Sequence, residues 1–214
     1  MKFLLPLTIT LLALAAACGG GGASGTTPIP TEPSVDPNLL TTIVLRSSDL
    51  PSGYAPAHAF NPPNAGATSY ASSFRLNGVT ISSTVVQYPD VQTRDQNIDH
   101  LRSGLAKVIG PETTYRLAGS DAAFLYLSSG STPAQASLTL RGRYVTTIVY
   151  QTTDLSQSAI VTNRAELEQY SALMFDRLQK LLVDPSSITP IAGAPTFDAN
   201  RQTQPVFVTA TAVP

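Results

Sequence analysis

The 214-residue sequence predicts an α+β fold: a single domain in which an antiparallel sheet of about five to seven strands carries two main amphipathic helices. Three observations predict it. Asn77-Gly78 joins two β-rich runs, Tyr70 to Leu76 and Val79 to Tyr88, and this dipeptide favours the type I′ turn of a hairpin. Apolar residues recur at three and four positions in two later stretches, the mark of a helix with one buried stripe. Between those stretches lie four short strand-like runs separated by turn residues.

From the N-terminus, Lys2, the apolar stretch Phe3 to Leu14 and Ala15-Ala16-Ala17 form the charged, hydrophobic and small-residue parts of a secretory signal, so residues 1–17 are assigned to a signal peptide. The apolar stretch is shorter than the ~20 residues that span a bilayer, and it ends in glycines rather than a basic cluster, which argues against a permanent transmembrane helix. Residues 18–38 hold five Gly, four Pro and five Ser or Thr, a composition that cannot bury a core. They are expected to form a flexible spacer with a reach of roughly 25 Å. Gly19 to Gly22 has neither the preceding strand nor the following Gly-Lys-Ser/Thr of a phosphate loop.

Residues 39–184 are expected to form the domain. Leu39 to Leu45 is a short apolar run, and Ser47-Ser48-Asp49 offers caps for one helical turn. Tyr54 to Phe60 reads as a strand that Pro56 confines to an edge. After the Asn-Gly hairpin, Val91, Arg94, Ile98, Leu101, Leu105 and Val108 line one face of a helix that Gly110-Pro111 ends. Four strands follow, at Thr114 to Leu117, Ala122 to Leu127, Ala136 to Arg141 and Arg143 to Gln151, the last two joined tightly around Gly142. Asn163 and Glu166 have capping-box spacing before a final helix faced by Leu167, Tyr170, Met174, Leu178 and Leu181. The short connections suit helices packed on one sheet face. Residues 185–214, with five Pro and almost no charge, read as a disordered tail.

Composition narrows the chemistry. A net charge of −1 excludes a strongly electrostatic nucleic-acid binder, and a single Cys excludes an internal disulfide. With two His, the ligands of zinc, haem and iron–sulfur centres are scarce, so no cofactor and no metal are expected. Asp95, Asp99 and His100 share a helix, yet Arg94 and Arg102 flank them, and a solvated, charge-balanced face is the better reading. His58 sits near Pro56 in the edge strand. Ser128-Ser129-Gly130-Ser131 lacks a nucleophile elbow. Of the four Glu, Glu32 lies in the spacer, Glu112 at a helix end, Glu166 at a cap and Glu168 on an exposed helix side, so no acid–base pair stands out. Tyr70, Phe74, Tyr88, Phe124, Tyr126, Tyr144 and Tyr150 lie in strands, where sheet packing is the default and an outward apolar cleft the alternative.

Leu14-Ala15-Ala16-Ala17-Cys18 resembles the lipobox of bacterial lipoproteins, although Ala15 stands where that family prefers Leu. The resemblance implies diacylglyceryl attachment to Cys18, cleavage before it, and a mature chain anchored to the cell membrane, or to the outer membrane where the host has two. Ordinary secretion through the Ala15-x-Ala17 site is the alternative. Asp49-Leu50-Pro51-Ser52-Gly53-Tyr54, Gly119-Ser120-Asp121-Ala122-Ala123-Phe124 and Arg141-Gly142-Arg143-Tyr144 resemble features of uncharacterised extracytoplasmic lipoproteins and of sensor domains of high-GC bacteria. The element order is similar to that of the PsbP/Mog1-like group. These resemblances imply a non-enzymatic binding or interaction module whose partners are the membrane, through the acyl chains on Cys18, and an envelope protein or apolar small ligand. The alternatives are a carrier of lipid or other hydrophobic cargo and an envelope hydrolase.

Overall fold

The computed structural model describes residues 34–60, 66–128, 134–152 and 164–188. Cys18, most of the spacer, Ser129 to Pro133, Asn163 and the tail from Thr189 onward lie outside them. Among the described residues, packing already begins at Val35, which is 5% exposed, and its N–H donates to the Tyr144 hydroxyl at 3.3 Å. Ile188 packs against the same core. Packed chain thus extends a few residues beyond the expected block 39–184 at both ends.

A 3-10 turn spans Pro37–Thr42, started by Pro37 and by the Asp36 carboxylate, which accepts from the Asn38 N–H at 2.9 Å. Leu40 within it, and Ile43 and Leu45 beyond it, are fully buried. A second 3-10 turn, Ser47–Asp49, stands where the sequence places one.

Seven strands form one antiparallel sheet: β1 (Ala55–Phe60), β2 (Thr68–Leu76), β3 (Val79–Gln87), β4 (Glu112–Thr114), β5 (Ala122–Leu127), β6 (Ala134–Arg141) and β7 (Tyr144–Thr152), in the order β1-β2-β3-β7-β6-β5-β4. Helix α1 (Val91–Val108) connects β3 to the far edge, and α2 (Arg164–Val183) follows β7. Two meanders therefore meet at β3 and β7. Pro56 lies in the edge strand, as its missing N–H requires, and the register shifts between Pro56 and His58. Asn77 and Gly78, at φ 49° and 80°, form the type I′ turn. The β6–β7 turn places Gly142 at φ 50° with Arg143 after it, a Gly-first hairpin.

The strand expected at Thr114 to Leu117 lies at Glu112–Thr114 instead. Beyond Thr114 the Tyr115 N–H still bonds the Ala123 carbonyl at 3.1 Å, the side chains of Tyr115 and Leu117 pack against the core, and the Ser120 N–H bonds back to the Leu117 carbonyl at 3.1 Å.

The helices pack on opposite faces of the sheet rather than on one. Alternate residues of a strand face opposite ways, and Leu125, Tyr144, Ile148 and Tyr150 join α2 in one cluster while Phe124, Tyr126, Val145, Leu138 and Leu140 join α1 in another. The α2 stripe is as expected, with Leu167, Tyr170, Met174, Leu178 and Leu181 all buried. On α1, Ile98 and Leu105 are buried, but Val108 is 49% exposed, and Ile109 takes its place in the core as the helix ends.

The face shared with α2 is completed by the N-terminal segment, which crosses β2 and β3. The Ser72 hydroxyl donates to the Leu45 carbonyl at 2.8 Å, and the Leu45 N–H donates to Ser83 at 2.9 Å. Two core serines thus satisfy a backbone that belongs to no sheet.

Candidate functional site

The three loop motifs singled out by the sequence prove to be fastenings. In the first, Asp49 accepts the Arg46 N–H at 2.7 Å and two bonds from the Arg177 guanidinium of α2, at 2.7 and 2.8 Å. Arg177 also donates to the Val44 carbonyl at 3.0 Å. A planar fork meeting a carboxylate in this way fixes orientation as well as charge, so α2 is pinned to the N-terminal segment.

The second and third motifs meet each other. Asp121 accepts the Gly142 N–H at 2.8 Å and the Arg94 guanidinium at 2.8 Å. Arg94, its side chain 8% exposed, also bonds Asp95 and the Gly142 carbonyl. Arg141 donates to the Gly119 carbonyl at 2.9 Å, and Arg143 to the Pro89 carbonyl. Beside them Asp90 caps α1 by accepting the Thr93 N–H at 2.6 Å, and that bond holds its carboxyl below the usual range. These groups bond chiefly one another, although the buried Arg143 Nε has no hydrogen-bond partner.

Glu112 lies in β4, not at a helix end. It receives a two-pronged bond from Arg102 of α1, at 2.6 and 2.9 Å, and the Tyr126 hydroxyl at 2.6 Å. The Arg102 guanidinium also sits 4.3 Å from the centre of the Phe124 ring. Bonding to Arg102 lowers the Glu112 carboxyl, while burial, followed by the bond to Glu112, raises the Tyr126 phenol. Glu112 is a fixed anion whose partners are fully engaged, not a poised acid.

The remaining candidates do not converge. His100 is exposed on α1. Asp99 pairs with Arg102 at 3.5 Å and Asp95 with Arg94 at 2.7 Å, so the charges balance as the sequence suggests, but Arg94 is buried and only part of this face is solvated. His58 pairs through its backbone with Ser73 at the β1 irregularity. Glu168 pairs with Arg164 at 2.7 Å. Among the described residues no group of three or more His, Cys, Asp or Glu could hold a metal, and no helix is long and apolar enough to cross a membrane. Cys18, Glu32 and Ser129 to Ser131 lie outside the described residues.

The seven aromatics named above are all buried, none more than 8% exposed, and they divide between the two faces; six lie in strands, and Tyr88 lies just past the end of β3. A buried hydroxyl set joins α2 to the sheet: Tyr115 to Ser171 at 2.6 Å and Ser171 to Thr139 at 3.1 Å. Nearer the start of α2 lies a second polar group that the sequence did not single out. Tyr150 and Tyr170 stack with ring centres 6.2 Å apart, and the Tyr170 hydroxyl donates to Glu166 at 3.2 Å. The half-buried Tyr54 packs against the same cluster and feels the Glu166 charge. Burial, then Glu166, pushes the Tyr170 phenol up to about 12, and Tyr150 is raised by the same causes. The buried Tyr150 hydroxyl has no partner at full hydrogen-bond geometry and interacts with the Tyr170 hydroxyl beside it. No local pattern in the sequence marks this group, because its members come from residues 54, 150, 166 and 170 and meet only through the fold.

No family model and no curated protein matches the chain. Among solved structures it is similar to the extracellular domain of PknH from Mycobacterium tuberculosis, at 10% identity and a TM-score of 0.48, covering 70% of this chain and 99% of that one.

Proposed function

We propose that the protein is a lipid-anchored extracytoplasmic module of the cell envelope, a non-enzymatic domain held to the membrane by acyl chains on Cys18 and displayed on a spacer to meet a partner or ligand. The single observation that carries this reading is the position of the only Cys, directly after a signal-like apolar stretch and Leu14-Ala15-Ala16-Ala17, and directly before a Gly, Ser and Thr spacer. Two acyl chains give stable anchoring, at ~0.8 kcal/mol for each buried methylene. The non-enzymatic half is supported by where the charged groups go: Asp49, Asp121 and Glu112 each spend their acceptor capacity on an Arg that fastens one element to another. A catalytic acid, base or nucleophile needs a group held in reserve.

Intact mass of the protein extracted from its native membrane, beside a Cys18→Ser variant, tests the reading. The expected result is a chain that begins at Cys18 with added acyl mass, and a variant that is released unacylated. A wild-type chain that carries no acyl mass and appears in the medium overturns the anchor.

A further inference from the structure

We propose that residues 34–50 exchange between two copies of this chain, so that the N-terminal segment of each docks on the sheet face of the other. This names a partner for the anchored-module reading and rests on it for the confinement that brings copies together. The segment is held as a separable piece. Its own backbone bonds are local, from the Ile43 N–H to the Leu40 carbonyl and from the Leu50 N–H to the Ser47 carbonyl. Side chains fasten it to the rest: Ser72 and Ser83 bond Leu45, Tyr144 bonds Val35, and Arg177 bonds Val44 and Asp49. It can leave without unpairing a strand. The apolar cluster completed by Leu40, Ile43, Val44 and Leu45 would then meet water, so an opened chain gains by taking up the same segment from a neighbour. The connection to β1 suits this. Pro51, Ser52 and Gly53 are exposed, and Leu50 is already extended, at φ −104° and ψ 156°, as a residue before Pro prefers. The chain reverses at Gly53, φ 102°, and glycine adopts extended backbone as readily. An exchanged pair repeats every contact of the closed chain and differs at this hinge, so concentration decides between the two forms. Acyl chains on Cys18 and a spacer reaching roughly 25 Å hold copies in one thin layer and raise that concentration.

The Asp49–Arg177 clasp lets exchange be read directly. Asp49→Arg sets two cations together in a closed chain, and Arg177→Asp sets two carboxylates together. Exchange between one chain of each kind restores an opposite-charge clasp on both sides. Full-length chains carrying two different tags are co-expressed, extracted from the membrane in detergent and purified through both tags. The expected result is a two-chain complex from the wild type with itself and from Asp49→Arg with Arg177→Asp, and at least about ten-fold less from Asp49→Arg with itself. A photoreactive benzoylphenylalanine replacing Leu39, which packs against the core, gives a reading without reversed charges. Its crosslink is expected to run from residue 39 of one chain to the sheet or α2 of the other. Absence of a wild-type pair, equal yields from Asp49→Arg with itself and with Arg177→Asp, or crosslinks confined to single chains overturns the exchange. Acylation at Cys18 together with no two-chain complex would remove the exchange and leave the anchored-module reading standing.

Discussion

At the scale of single residues, the arginines do more than the hydrophobic pattern suggests. Arg94 falls in the apolar stripe of α1 and is indeed buried, held by Asp95, Asp121 and the Gly142 carbonyl. Replacing it by Met keeps the stem that packs and removes the guanidinium from the Gly142 carbonyl and from Asp121, which keeps the Gly142 N–H. Arg94→Met is expected to cost about 1–2 kcal/mol in chemical denaturation, against about 1 kcal/mol or less for the exposed Arg164→Met. Glu112 gives a pH signature. Its carboxyl is held below its ordinary value of 4.5, so the folded state prefers the anion. The stability it contributes is present above about pH 4.5 and is lost as the pH falls through the lower folded value. Melting temperatures of wild type and Glu112→Gln are therefore expected to differ near neutrality and to converge in acid. A gap that stays constant with pH would contradict the ion pair.

At the scale of elements, the hairpin of β2 and β3 depends on two left-handed positions, and a side chain at Gly78, φ 80°, meets a penalty of about 1 kcal/mol. Gly78→Ala is expected to lower stability by that amount, measured by urea titration. This hairpin, the edge position of β1, the limits of β5 and the buried stripe of α2 were legible because each is encoded locally, by a turn dipeptide, a proline or a helical period. The placement of the helices was not. In β6, Gln135, Ser137 and Thr139 alternate with Ala136, Leu138 and Leu140, which looks like a strand with one wet face. All six are buried, because Thr139 meets Ser171 of α2 through hydroxyls and the polar row lies under a helix. Polar residues that bond across an interface are indistinguishable in sequence from polar residues that bond water. The tyrosine cluster was hidden for a related reason: its members are ordinary loop, strand and helix residues until the fold brings them together. The loop motifs were legible as positions, but their role as fastenings depends on Arg94 and Arg177, far away in the chain.

At the scale of the whole molecule, the N-terminal segment is part of the domain and not of the stalk. It buries Leu40, Ile43, Val44 and Leu45, each contributing about 2 kcal/mol of burial, and it carries Asp49, the partner of Arg177. A chain beginning at Ser34 is therefore expected to melt cooperatively at the temperature of the mature protein, whereas one beginning at Ser47 is expected to lose the transition or bind a dye for exposed apolar surface. Equal melting of the two would show that the sheet and helices suffice. The segment also decides how the protein answers to force. It lies across the sheet and enters as none of its strands, so a pull applied at residue 34 is borne by the Ser72, Ser83 and Tyr144 hydroxyls and by the Arg177 clasp before any rung of the β ladder takes load. Peeling residues 34–54 from the face would release at most about 70 Å of chain while the seven strands stay paired, so the fold carries a mechanical fuse between any tether and its own core.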